Sequence, residues 1–240
     1  MDLENWRHIF RLSATTLSLL SIAIGLCSIY FTSRVNQPFK LICYYFLFTI
    51  FAELYAWILT YFGLLDKYGK TINHPFIVVE AILVGGFFYQ LSKNSNLKTV
   101  IAGLISVIVL SELYIVIFNG ITAESRYGSA ILSGLLCIAG LITLGVLSKS
   151  RVQHNFAKRP EVQIVLGFTC VYALIVFIFF ILPSAIEYSR ILANQLLIVK
   201  NIFSIISLCY ICYGMWRKSS QFPLKPTAFP TPSQPPRGLN

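Results

Sequence analysis

The stretch Leu41-Ile-Cys-Tyr-Tyr-Phe-Leu-Phe-Thr-Ile-Phe-Ala-Glu53-Leu-Tyr-Ala-Trp-Ile-Leu-Thr-Tyr-Phe-Gly-Leu-Leu65 decides the fold class of this chain. A single charge, Glu53, interrupts it. Neither half alone is long enough to cross the roughly 30 Å of bilayer hydrocarbon, which takes about 20 residues of α-helix. Read as one unit, it is a membrane span with an ionisable side chain near its middle, ended by Gly63 and Asp66.

Six more windows read the same way on either side. No residue between Arg11 and Arg34 is charged. From Thr71 to Ser92 the only charge is Glu80, and from Thr99 to Ala123 it is Glu112. Tyr127 to Ser148 and Val162 to Ile186 carry none, and Ile191 to Trp216 carries only Lys200. A β-barrel would alternate polar and apolar residues over shorter segments, and these runs do not. The expected fold is all-α, a polytopic bundle of seven transmembrane helices at about 12–33, 41–65, 75–92, 99–119, 127–148, 162–183 and 191–216. Composition agrees: charged residues are 12% of the 240, against about 25% in a soluble domain.

Lysines and arginines in short loops set orientation. Arg34, Lys40, Lys93, Lys98, Lys149, Arg151, Lys158, Arg159, Arg217, Lys218, Lys225 and Arg237 fall on one side. Arg7, Arg11, Lys67, Lys70, Arg126 and Arg190 fall on the other. Twelve against six puts the C-terminus in the cytoplasm and the N-terminus outside. The net charge of +10 is then a topology signal rather than a mark of nucleic-acid binding. Residues 1–11 read as an external segment, 12–216 as the transmembrane domain, and 217–240, with six of the ten prolines, as a disordered cytoplasmic tail of polyproline II character. No cleavable signal is visible, and the localisation expected is a bacterial-type inner membrane, multi-pass.

Lone ionisable groups in hydrocarbon are costly, by about 2.5–3.5 kcal/mol on insertion scales, and they mark functional sites. Glu53 and Lys200 lie near mid-depth and can pair if their helices are neighbours, while Glu80 and Glu112 lie in the outer half. Helical spacing groups Thr49, Glu53, Trp57 and Thr60, Asn73 with Glu80, and Glu112 with Asn119. It also groups Asn194 with Asn201, beside Lys200 and Ser204. The expected intramembrane polar pocket is therefore Glu53, Glu80, Glu112, Lys200, Asn194 and Asn201. Lys200 would hold an anionic group, and the glutamates a cation or protons. The bland alternative is a buried Glu–Lys pair that only fixes helix packing.

Other features are quieter. His8, His74 and His154 read as lying outside the span interiors, no metal or nucleophile–base motif is seen, and no cofactor or enzymatic activity is expected. The six cysteines lie in spans and imply no disulfide framework. Gly128, Ser129, Ala130, Ser133, Gly134, Ala139, Gly140 and Gly145 make the fifth span rich in small residues, the signature of close helix packing. Ser18 to Leu26 echoes Ser133 to Leu141, hinting at two parallel repeats in a 3+1+3 plan.

Lys200-Asn-Ile-Phe203 loosely resembles the last-span K-x-x-F of microbial rhodopsins, but Leu196 stands where those proteins carry an aspartate, and a retinal protein is disfavoured. PQ-loop and SWEET transporters share the 3+1+3 plan, without their Pro-Gln or mid-span prolines here. On the Glu53 stripe and the Asn73-His74 to Glu80 segment, the chain resembles short seven-span bacterial membrane proteins, similar in layout to the membrane sensor modules of signalling kinases. That resemblance implies a sensor or receptor-like module in the lipid bilayer, with a small ligand or ion and a signalling partner protein. A small-solute or proton-coupled transporter and a structural membrane scaffold are the alternatives.

Overall fold

The apolar windows become seven helices long and apolar enough to cross a bilayer in the computed structural model, which describes residues 3–121, 126–149 and 156–221. They are α1 (Leu3–Thr32), α2 (Gln37–Tyr61), α4 (Asn73–Leu91), α5 (Ser95–Asn119), α6 (Arg126–Ser148), α7 (Pro160–Tyr188) and α8 (Arg190–Ser220). A short helix, α3 (Leu65–Tyr68), and a 3-10 turn, Gly69–Ile72, lead into α4. This is the all-α layout of a multi-pass membrane protein. The proline-rich tail expected beyond α8 lies outside the described residues.

Local chemistry sets the boundaries. Gly63, with φ of 67°, takes the left-handed conformation that ends α2. Its amide bonds the Thr60 carbonyl and that of Leu64 bonds Leu59, a Schellman closure. Asn94 caps α5 by accepting from the Asn96 amide at 2.9 Å. Ser189, the sole residue between α7 and α8, caps α8 through the Ile191 amide at 3.3 Å. Pro160 opens α7, where a missing N–H costs nothing.

Several boundaries differ from expectation; α2, for instance, runs Gln37–Tyr61 rather than 41–65. α1 begins at Leu3, so Arg7 and Arg11 ride on an exposed helical extension. α7 continues past Pro183 to Tyr188, although proline cannot donate a bond to the Phe179 carbonyl one turn earlier. α8 continues through Arg217 and Lys218, held by the Lys218–Glu161 ion pair at 2.9 Å and by a bond from Arg217 to the Lys158 carbonyl.

The packing order places the site. α1 packs on α2, α2 on α4, α4 on α6, α6 on α7, α7 on α8, and α8 returns to α1, so six helices close a ring. α5 stands outside it against α4 and α6. Three helices, one peripheral helix and three more helices therefore follow in chain order. The echo between α1 and α6 falls on opposite members of the ring. Its shared glycines do the same work: a Cβ on Gly25 would strike Ile50 and the Phe46 carbonyl of α2, and one on Gly140 would strike Thr169 of α7. At both places a ring helix meets its successor closely.

One half of the ring is solid. Phe39 and Ile42 of α2, Val84, Phe87 and Phe88 of α4, Ile164 and Val165 of α7, and Met215 of α8 are all fully buried. Phe39 and Phe87 meet edge to face at 5.7 Å. Arg34 over Tyr30, Lys98 over Tyr89 and Arg217 over Tyr213 stack at this same end.

Candidate functional site

The other half of the ring holds a cavity of about 500 Å³, lined from α1, α2, α4, α6, α7 and α8. Asn73, Ser129 and Leu182 are its residues nearest the end where α4 and α6 begin. Along α8 its wall runs from Leu197 to Ile211, about 21 Å at 1.5 Å per residue. Three of the four lone charges line it: Glu53, Glu80 and Lys200.

Of these three, Glu80 is the most buried, at 8% exposed. Its Oε1 accepts from the hydroxyls of Tyr172 at 2.9 Å and Tyr45 at 3.1 Å. Both rings belong to an aromatic wall: Tyr45 meets Phe168 edge-on at 5.6 Å, Phe168 stacks on Tyr172 at 6.0 Å, and Phe76 lies 6.3 Å from Tyr45. One carboxylate oxygen is thus fixed by two hydroxyls while Oε2 has no hydrogen bond among the described residues. Two tyrosines from α2 and α7 hold an α4 carboxylate, so the network braces the ring as well as presenting a charge.

Glu53 is half-buried on α2. Its Oε2 accepts from Ser18 of α1 at 2.6 Å, and Ser18 in turn accepts from Trp57 Nε1 at 3.1 Å. Oε1 has no partner among the described residues. Lys200, half-buried on α8, faces the same space. The expected Glu53–Lys200 ion pair does not form: among the described residues no carboxylate lies within 4.0 Å of Lys200. The ring explains this, since α2 and α8 are separated by α1.

Three expected pocket residues are elsewhere. Glu112 cannot reach the cavity because α5 is outside the ring. Its Oε2 meets Nδ1 of His74 at 2.6 Å, with both side chains almost fully buried at 1% and 2% exposure. Its Oε1 has no hydrogen bond among the described residues. Gly128 makes room for this carboxylate, because a Cβ there would overlap it. Asn119, the partner suggested by spacing, is exposed, and His74, read as lying outside the span interiors, is buried in the first turn of α4. Asn201 is buried but donates to Ser13 of α1 at 3.0 Å. It lies one residue, hence about 100° of helix, from the Lys200–Ser204–Leu208 face. Asn194 is half-buried and does not line the cavity.

Thr49 and Asn73 line the cavity as their stripes implied, and so does Ser204. The tyrosines that hold Glu80, and His74, were missed. Tyr45 lies eight residues before Glu53, about two turns along the same side of α2, and that spacing is the one sequence signal pointing to it. Nothing local distinguishes Tyr172. Among the described residues no cluster of three or more metal-ligating side chains is present, and the cysteines are free. The chain matches no protein-family model, no curated protein and no solved structure.

Proposed function

We propose that the chain is a receptor-like module of a bacterial-type inner membrane that binds a small ligand in the ring cavity and passes the event to a partner protein. The N-terminus lies outside and the C-terminus in the cytoplasm in this reading, in keeping with the loop charges. The cavity half of the ring then faces outward and the packed half faces the cytoplasm. The observation that carries the reading is the convergence of Glu53, Glu80 and Lys200, from three helices, on one cavity with bonding capacity left over. Its volume lies within the about 300–1,000 Å³ of small-molecule sites. No step of catalysis follows from this arrangement.

The test is native mass spectrometry of the protein released from its own membranes, with Glu53→Gln and Lys200→Met beside the wild type. A small molecule carried by the wild type and lost from both inserted variants supports the reading. An identical set of bound molecules in all three overturns it.

A second reading, a proton-coupled small-solute carrier with the glutamates as relay, draws on the 3+1+3 ring, since parallel repeats about the membrane normal occur in transporters. Reconstituted vesicles should then show a pH-dependent solute flux whose pH dependence Glu80→Gln removes. Absence of flux for every solute that binds would reject it.

A further inference from the structure

Resting on the cavity reading above, we infer the chemical class of the ligand: a small zwitterion, with an ammonium group at one end, a carboxylate at the other and an apolar body between them. Glu80 supplies the first argument. Its side chain is more than nine-tenths buried, yet only Oε1 is hydrogen-bonded among the described residues. The two tyrosine hydroxyls hold Oε1 of this cavity-lining carboxylate and leave Oε2 to accept from a ligand N–H. Around it stand Tyr45, Phe76, Phe168 and Tyr172. Electron-rich ring faces attract a cation, the more so out of water.

The second argument is Lys200. It contributes the cavity's one cationic side chain among the described residues, and no carboxylate neutralises it within 4.0 Å. An ammonium placed there with no partner is costly, and a ligand carboxylate removes that cost by a charge-assisted hydrogen bond. A plain amine would leave Lys200 facing another cation, and a plain acid would face Glu53 and Glu80. Only a molecule with both signs of charge meets both walls. Ile175, Ile178 and Leu197 of the same cavity provide the apolar surface for its body.

The experiment is thermal stabilisation of the full chain in lipid nanodiscs by two sets of matched probes. One set is phenylalanine, 2-phenylethylamine and 3-phenylpropanoate, and the other is leucine, isopentylamine and 4-methylpentanoate. In at least one set the zwitterion is expected to bind about tenfold or more tightly than either partial analogue, as loss of a charge-assisted hydrogen bond implies. Lys200→Met should remove the advantage of the amino acid over the amine, Lys200→Arg should keep it, and Glu80→Gln should remove the advantage over the acid. A generally destabilised bundle would not produce these opposite changes of preference. Stabilisation led by an amine or an acid in both sets, or by no probe, overturns the inference. The cavity reading survives that result if mass spectrometry still finds a bound molecule sensitive to Glu53 and Lys200.

Discussion

Removing His74 should expose how a buried carboxylate is tolerated between α4, α5 and α6. Glu112 is 1% exposed, bonds His74 Nδ1 at 2.6 Å through Oε2, and has no hydrogen bond on Oε1 among the described residues. His74→Leu leaves both oxygens bare, and breaking a buried pair from one side costs about 3–5 kcal/mol. Glu112→Gln keeps the shape and discards the charge, so the loss should fall to about 1–2 kcal/mol, the scale of one compromised buried hydrogen bond. The double variant His74→Leu/Glu112→Leu replaces the pair by apolar groups of similar size, which is commonly neutral or stabilising. The single variants His74→Leu and Glu112→Leu should therefore both be much worse than their combination, with a coupling of about 3 kcal/mol or more. Reversible unfolding in mixed micelles, followed by circular dichroism, gives the four free energies of the cycle. Single variants within about 1 kcal/mol of the wild type, or a double variant as poor as the sum of its parts, would refute the description of this contact as a desolvated, mutually dependent pair.

Other outcomes follow from named contacts. Gly140→Ala should cost about 1–3 kcal/mol by overpacking against Thr169, whose hydroxyl is tied to the Val165 carbonyl at 2.7 Å; adding Thr169→Ala should restore much of the loss in the same unfolding assay, and no restoration would place the damage elsewhere. Tyr45→Phe and Tyr172→Phe should each lower stability by about 1.5–3 kcal/mol, the range for hydrogen bonds to charged groups, and the pair should be non-additive because both bond one oxygen of Glu80. Cysteines placed at Asn119 and Asn94, at opposite ends of α5, should react with an impermeant maleimide on intact cells at Asn119 only; the reverse pattern would invert the proposed orientation.

The number and approximate place of the helices were legible in the sequence because bilayer thickness imposes a length and a polarity that composition alone reveals. Glu53 was the difficult case, and treating it as a tolerated charge inside one span recovers α2 as a single helix. Helix ends were less legible. Hydropathy reports where water-loving side chains begin, whereas the helix stops where its hydrogen bonds are capped, so α1 and α8 run on beyond the apolar windows. The site was legible as a list of charges but not as a set of neighbours. Helical spacing says which residues of one helix share a face, and Thr49, Glu53, Asn73 and Glu80 do line the cavity on that basis. It says nothing about which helix lies opposite. Whether α5 joins the ring decides the fate of Glu112, and that depends on how closely α4 and α6 approach across the groove between them.

The small residues of α6 are where the sequence bears on that question. Gly128 admits the carboxylate of Glu112 from α5 in the first turn of α6, and Gly140, about three turns further along, admits Thr169 from α7. Gly85 of α4 admits Ile105 of α5 in the same way. The glycines on α4 and α6 thus seat α5 against the outside of the ring, where its one buried charge, Glu112, must be met by a residue of the neighbouring wall. His74, in the first turn of α4, is that residue. With Glu112 paired to His74 outside, the ring keeps Glu53, Glu80 and Lys200 for the interior. The four lone charges therefore divide along the line between the peripheral helix and the ring, one of them locking α5 in place and three left facing a space large enough to hold a ligand.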